Sequence, residues 1–455
     1  MEQWAADELR TVDLGDARRT ARLVTLLEQV SRQPEASLPQ AMGTWAATKA
    51  AYRFLDHPSS QVDAILGGHR DATRARAAGE PVLLAIQDTT QLAYGTHDAL
   101  EGRGPLARPG HQGVLLHTTL LTTDAGLPLG ILDHHRWARD PAQAGRARQR
   151  RDRPTAEKES QRWLDSAART WERTADLGAT VVVICDREGD IFDLFAQDRP
   201  EWGQLLVRST HERKLTDEAG YLHATVAAAP VLGQLAVDIG RRGDRPARVA
   251  TLDLRAVAVT LAPPRKRRGE GVPVTVVLAT EVAAPEADPT DAPISWMLTA
   301  TGMDASQEAA ETAVRRYARR WQIERYHYVL KQGCAVERLQ LATVERLDRA
   351  LALYAIVAWH LLWITHAARQ QPDVPCTTVL TTEEWTTLWQ VVERGQPVPP
   401  TPPTLREAVR LVARLGGFLA RRRDGEPGVT TLWRGWRRLE DIMVGVRLAT
   451  PHPDP

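Results

Sequence analysis

Two runs without a polar side chain, ValLeuLeuAlaIle at 82–86 and ValValValIle at 181–184, constrain this 455-residue chain more than any other feature. Apolar runs of that length suit strands buried on both faces, and a helical pattern at 157–175 lies between them. A third strand-like stretch runs from 113 to 123 and continues toward Ile131. The expected architecture from about residue 80 is therefore mixed α/β. Between about 208 and 298 the pattern changes to several strands, at 248–255, 257–261 and 274–279, without an obvious long helix, which predicts an inserted β-sheet. Helical periodicity resumes near Ser306 and lasts through Leu361.

Flanking regions read as helical. Asp16 is placed to cap a helix from Ala17, with Leu23, Leu26, Leu27 and Val30 as its core stripe and Arg18, Arg19 and Arg22 outside it. A second basic helix, 47–55, carries Lys49 and Arg53. Residues 1–60 thus form a small helical module, followed by an α/β domain over 61–368 and a C-terminal helical domain over 369–455. The Pro-rich stretch 396–403 is a stiff linker. Beyond it, Thr404 and Glu407 make a capping box for a helix that Gly416 and Gly417 end or kink. Trp433 and Trp436 add a bulky apolar face, read as core in preference to a partner surface.

Composition excludes several classes. A formal net charge of +1 gives no overall pull toward nucleic acid, so any such role rests on local patches. Candidates are Arg146, Arg148, Arg150, Arg151 and Arg153; Arg265, Lys266, Arg267 and Arg268; and Arg421, Arg422 and Arg423. Three scattered cysteines form neither a disulfide framework nor a CxxC zinc site, and the first residues lack a signal-peptide pattern, so a reducing cytosol is expected. The most apolar window, 351–364, is shorter than the roughly 20 residues a membrane helix needs. It reads as a buried core helix.

Each apolar run leads into an aspartate, Asp88 after LeuLeuAlaIleGln and Asp186 after ValValValIleCys. A carboxylate at the end of a buried strand is held rigidly at the sheet's edge, where open α/β sheets bind ligands, although strands also end in Asp for turn reasons. Further along, Tyr317, Arg320, Glu324, His327 and Lys331 recur at intervals of three, four, three and four, the spacing of one helical face. Two strand-end aspartates and Glu324 repel one another unless a cation joins them. An oxygen-only set without thiolates favours magnesium or manganese, and two such ions about 4 Å apart can drive phosphoryl transfer. Over a rise of about 1.5 Å per residue, the stripe's ends lie more than one phosphate away from Glu324, which suits a polymeric substrate.

These residues resemble the DDE transposases of bacterial insertion sequences, of the IS-four family and its Tn-five branch. The match runs through LeuGlyAspAlaArgArgThrAlaArgLeuVal (14–24), AlaTyrArgPhe (51–54), AspThrThr (88–90) and GluLysGluSer (157–160) with TrpLeu (163–164). It continues through CysAspArgGlu (185–188) with Asp190, ValArgSer (207–209), Trp296, TyrAlaArgArgTrpGlnIleGlu (317–324), Lys331 and AlaArgLeuGlyGlyPhe (413–418). The resemblance covers nearly the whole chain and implies an RNase H-like catalytic core with an inserted β-sheet, between a helical DNA-end-binding module and a helical dimerisation domain. It implies Asp88, Asp186 and Glu324 as catalytic metal ligands for two Mg2+ ions, with Mn2+ able to substitute. Tyr317 and Arg320 would grip the phosphate beside a flipped base, Trp296 would stack in the space left, and Arg208 and Lys331 would hold nearby backbone. Arg18, Arg19, Arg22 and Arg53 would contact the DNA end. The implied partners are double-stranded DNA, both transposon ends and target, and a second copy of the chain, with no membrane; the protein would be cytosolic and bound to the nucleoid through DNA.

Glu188 and Asp190 are expected to be supporting or surface residues, and His327 to hydrogen-bond a ligand, not the ion itself. The chain begins a few residues later than the family pattern, so part of the end-recognition contacts would be missing. Gln322 and Tyr328 stand where that pattern has basic residues, which predicts weaker phosphate contacts beside Glu324. Two other readings share these residues. One is an inhibitor or domesticated protein that keeps the fold without transposing, against which the intact acidic triad argues. The other is a glycosidase with paired carboxylates, which fits the stripe's Arg and Lys less well than phosphate does.

Overall fold

The structure is a computed structural model describing residues 2–95, 97, 99–143, 154–216, 220–239, 248–265, 267, 269–282, 293–422 and 424–449. The predicted basic cluster from Arg146 to Arg153 lies outside the described residues, as do Lys266, Arg268 and Arg423.

Five helices come first: α1 (Glu2–Glu8), α2 (Ala17–Arg32), α3 (Leu38–Met42), α4 (Trp45–Asp56) and α5 (Val62–Ala77). The Asp16 carboxylate accepts from the backbone N–H groups of Arg18 and Arg19 at 2.7 and 3.1 Å, capping α2 as expected. Such a cap contributes about 1 kcal/mol. Leu23, Leu26, Leu27 and Val30 are all buried.

Ten strands form one sheet: β1 (Val82–Ala93), β2 (Gly104–Pro105), β3 (Gln112–Thr123), β4 (Pro128–Trp137), β5 (Thr180–Cys185), β6 (Gly203–Arg208), β7 (Gly233–Ile239), β8 (Arg248–Leu261), β9 (Val272–Glu281) and β10 (Ser295–Ala300). The order is β2-β3-β1-β5-β6-β10-β9-β8-β7, with β4 paired to β3. Strands β1, β3 and β4 form an antiparallel meander, and β5 and β6 add to it in parallel. This is the mixed sheet of an RNase H-like core. The predicted stretch from 113 toward Ile131 is two strands, β3 and β4, joined by a turn around Gly126. The inserted strands do not form a sheet of their own. They extend the core sheet, because β10 pairs antiparallel with both β6 and β9.

One face of the sheet, bearing Leu84, Ile86, Val182 and Ile184, packs under α9 (Gln307–Ala318), α10 (Trp321–Tyr328) and α11 (Val344–Gln370). The other, with Leu83, Ala85, Val181 and Val183, packs under α6 (Gln161–Thr174) and α7 (Phe192–Phe195), with α8 (Leu222–Ala228) nearby. Helix α5 crosses β4 so closely that a Cβ at Gly130 would strike the Thr73 side chain. At 27 residues, α11 is longer than the apolar window suggested, and it is long and apolar enough to cross a membrane. It is instead the central core helix, since 94% of its most apolar window is buried.

The C-terminal part holds α12 (Thr382–Val392), α13 (Leu405–Leu415) and α14 (Val429–Ala449). Thr404 and Glu407 make the expected capping box. Trp433 and Trp436 are buried, which settles them as core. Helices α13 and α14 cross in near contact, because a Cβ at Gly435 would overlap the Val412 carbonyl. Within this packing Glu440 of α14 is buried near Glu384 of α12. Burial and the charge of Glu384 push the Glu440 carboxyl up to about 7, against the smaller pull of Arg32 and Arg447.

A raised native pKa means that the unfolded chain releases this proton first. The contribution of Glu440 to stability is therefore complete below about pH 4.5 and is lost as pH rises through 7. Glu440→Gln is expected to raise stability at pH 8 by up to about 3 kcal/mol and to change it little at pH 4.5, as measured by urea unfolding at both pH values. Equal effects at the two would contradict the buried-charge account.

Candidate active site

Parallel pairing of β1 with β5 ends with Ile86 opposite Ile184; Asp88 and Asp186 each follow two residues later, close enough for the charge of Asp88 to act on Asp186. Neighbouring strands are about 4.8 Å apart, and residues two apart along a strand share a face. Both aspartates therefore share the face of Ile86 and Ile184, under α10, which touches β1. Asp186 does stand at a strand end: its backbone is still extended and its carboxylate caps a short turn through Glu188 N at 2.8 Å. Asp88 does not. It lies mid-strand, because β1 runs on to Ala93 against β3, with Asp88 opposite Thr118.

The two carboxylates differ electrostatically. Burial pushes the Asp88 carboxyl up, but His327 and Arg320 outweigh it and hold the group below its ordinary value. Burial and then the charge of Asp88 raise Asp186, with Arg320 a weaker opposing influence. His327 lies with Nδ1 3.7 Å from Asp88 Oδ2, an ion-pair distance and too long for a hydrogen bond. It therefore neighbours Asp88 without the hydrogen bond expected of it.

The predicted stripe is not one helix. Tyr317 is near the end of α9, Arg320 is in the junction, Glu324 and His327 are on α10, and Lys331 sits in a π-helical turn over Val329–Gly333. Every junction residue keeps right-handed helical angles, so the path stays near-continuous while its phase shifts. The stripe is also largely withdrawn from solvent, with Tyr317 and His327 buried. Glu324 is the exception, at 53% exposed, and Arg320 forms an ion pair with it. Among the described residues no three acidic, His or Cys side chains form a ready cage for an ion.

A cavity of about 840 Å³ opens between Glu324 and the inserted strands. Trp296, Arg208, Tyr317 and Arg320 line it together with Glu324. Trp296 packs edge-on to Tyr317, with ring centroids 5.4 Å apart, and Arg208 Nη2 donates to the Ser295 carbonyl at 3.2 Å. Lys331 lies outside this cavity, half-buried, where the charges of Glu337 and then Asp88 act on it. Arg18, Arg22 and Arg53 are exposed on α2 and α4, away from the carboxylates. Arg19 turns inward, donating to Leu14 O and lying 3.0 Å from the His57 ring.

Beneath the aspartates, Arg162 of α6 donates through Nε to Thr89 Oγ1 at 2.9 Å and pairs with Glu188. One guanidinium thus ties the residue after Asp88 to the turn after Asp186. The Thr89 hydroxyl also meets His117 Nδ1 at 2.9 Å, and burial keeps His117 neutral by pushing it down to about 3. Asp190 is fully engaged in structure, accepting from Thr210 N, His211 N and Arg213. The sequence reading missed Arg162, although it lies between the quoted GluLysGluSer and TrpLeu segments.

Three family models match the chain. The one described as Transposase DDE domain covers residues 87–359, Transposase DNA-binding covers 1–60, and Transposase Tn5 dimerisation domain covers 356–454. The chain belongs to the DDE transposases. This transposase therefore binds DNA through its N-terminal region and forms homodimers through its C-terminal region. DDE domains generally use divalent metal ions. The carboxylates fit such an ion chemically: the donors are hard oxygens, and their mutual repulsion already disfavours the charged form of Asp186.

That repulsion is measurable without any metal. Asp186→Asn removes one of the two facing charges and is expected to stabilise the metal-free protein at pH 8 by about 1 kcal/mol or more, with the gain shrinking toward pH 4. The sign follows because a carboxyl with a raised native pKa loses its contribution as pH rises. Thermal melts in chelator at both pH values test this, and destabilisation by Asp186→Asn at pH 8 would contradict the geometry.

Proposed function

We propose that the chain is a cut-and-paste transposase whose reacting centre is built on Asp88, Asp186 and Glu324. The observation that carries this reading is that Asp88, on β1, and Asp186, just past the end of the parallel strand β5, are close enough for the charge of one to act on the other, with the helix that bears Glu324 packed against β1. The three carboxylates would hold two divalent ions, Mg2+ or Mn2+, whose chemistry is to sharpen an attacking oxygen and stabilise a leaving one at phosphorus. Glu324 would join the set by leaving Arg320, which then turns to substrate phosphate. Residues 1–60 would grip the transposon end, 61–368 carry the chemistry and 369–455 the dimer contact.

The chain's own side chains divide the remaining work. Arg320 and Arg208, with the Tyr317 hydroxyl, line the cavity and would hold the backbone on one side of the cut. Lys331 would hold it on the other side of the aspartates. Trp296 presents an aromatic face beside Tyr317, suited to stacking against a base pulled from the duplex. Arg18, Arg22 and Arg53 are exposed for end contacts, and Arg19 would contribute only if it left His57. The reaction order in this reading is a nick by water at the transposon end, attack of the freed 3′-hydroxyl on the opposite strand, reopening of the hairpin, and joining of the same hydroxyl to target DNA.

Incubation with DNA ends from the inverted repeats flanking the gene, in Mg2+ or Mn2+, is expected to give nicks and hairpins that chelator prevents. Asp88→Ala, Asp186→Ala and Glu324→Ala should retain end binding and lose cleavage by more than about 100-fold, beyond the usual cost of losing a ligand's supporting partner. Persistent cleavage in any one of them would remove that residue from the set. Trp296→Ala should depress hairpin formation more than first-strand nicking, whereas equal loss of both would point to a packing role alone.

A further inference from the structure

The 840 Å³ cavity has a second wall that the proposed chemistry leaves unused. Six arginines line the cavity against two acids, Asp238 and Glu324, and Glu324 is already paired with Arg320. Arg208 and Arg320 already have roles in the proposed function and Arg315 pairs with Glu311, which leaves three. Arg319 is in the α9–α10 junction, Arg325 is on α10 beside Glu324, and Arg369 is at the end of α11. Around them sits His366 of α11, nearly buried and kept neutral: burial pushes it down to about 4, helped by Arg369, Arg319 and Arg325 in that order.

These arginines differ from most others in the fold. Arg136, Arg139, Arg162, Arg169, Arg213 and Arg346 each pair with a carboxylate. Among the described residues, Arg319 and Arg325 have no carboxylate within ion-pair distance. Arg325 rests over the Tyr328 ring at 5.3 Å, and the stem of Arg319 packs over Gly126. Arg369 donates to the Pro427 carbonyl at 2.8 Å and feels Glu426 only at a distance, while Glu426 is held by Arg406 and Arg410. Gathering unpaired cations in a concave, half-buried place costs free energy unless an anion completes it.

We propose that Arg319, Arg325 and Arg369 form a second phosphate-holding wall, which carries a DNA strand from the carboxylate site along the end of α11 toward the start of α14. The inference rests on the transposase reading and adds to it three contacts outside the stripe. A cavity this large matches a stretch of backbone better than a single phosphate. The wall also offsets the expected loss of phosphate contacts at Gln322. That residue is buried and its amide donates to the Gly126 carbonyl at 2.7 Å, turned away from the cavity, whereas Arg325 lines it. The strand held here is either transposon-end or target DNA, and both offer the same phosphodiester chemistry.

The test is the salt dependence of DNA binding by the full chain in chelator, which needs no catalysis. Each phosphate contact contributes about 0.9 to the slope of log affinity against log salt. Arg319→Gln, Arg325→Gln and Arg369→Gln are each expected to flatten that slope by about one. Measured on a duplex carrying the flanking inverted repeat, the change assigns the wall to end DNA. Seen only when preassembled end complexes capture a mixed-sequence duplex, it assigns the wall to target. Arg325→Lys should restore most of the slope, which a folding defect would not allow. Unaltered slopes in both arms, with normal binding by the unsubstituted protein, would overturn the second wall and leave the proposed function standing. Salt-independent or absent binding by the unsubstituted protein would overturn both.

Discussion

The parallel pairing of β1 with β5 leads two carboxylates, Asp88 and Asp186, out of the sheet within reach of each other's charge, and much of the surrounding structure answers that repulsion. Two unit charges about 5 Å apart at an effective dielectric of 20 repel by about 3 kcal/mol. Local turn chemistry would not hold them there. The sheet does, because Leu84, Ile86, Val182 and Ile184 are fully or almost fully buried beneath the two aspartates and each contributes about 1.5–3 kcal/mol by burial. The remaining strain is divided unequally. His327 and Arg320 keep Asp88 charged, while Asp186 bears the raised pKa. Arg162, on the opposite face, braces both chain segments through Thr89 and Glu188.

The helical path over residues 307–333 supplies what the sheet cannot. A uniform helix would place Tyr317, Arg320, Glu324, His327 and Lys331 in one line. The break between α9 and α10 and the π-helical turn after α10 shift that line at both ends. Tyr317 and Arg320 consequently line the cavity with Trp296, while Lys331 lies outside it near Asp88. A π-turn inside a helix often marks a functional position, and here it reorients a cation relative to the carboxylates.

Much of this was legible where the determining contacts are local. Asp16 and Thr404 cap helices through residues two or three positions away, and the apolar stripe of α2 depends only on period. The aspartates were legible because apolar runs announce buried strands. Asp88 as a strand end was not, since β1 continues through ThrThrGlnLeuAla on the strength of pairing with β3, a partner 20 to 40 residues away. The continuous extension of the sheet was hidden likewise, because β10 returns to β6 only in space. The arginine wall joins residues 319, 325 and 369 from separate elements, and no window of sequence spans it. The burial of Gln322 was not legible, because one residue's phase on a short helix decides whether it faces solvent or core, and α10 turns it to the core.

A net charge of +1 conceals a strong internal separation of charge. The aspartate pair that attracts a divalent ion also repels a phosphodiester, so it cannot by itself draw DNA in. The cavity beside it carries six arginines against two acids, and in that partly enclosed space the attraction is less screened than at an open surface. Binding and chemistry are thereby assigned to adjoining but distinct groups. Arg320 stands between them: it neutralises Glu324 while also acting on Asp88 and Asp186. On the proposed function, phosphate entering the arginine-lined cavity would compete with Glu324 for that guanidinium, and the carboxylate so released would be the third of the proposed acidic set. The arrival of substrate and the completion of the ion-binding set would then be one electrostatic exchange, made at the helical junction where Arg320 meets Glu324.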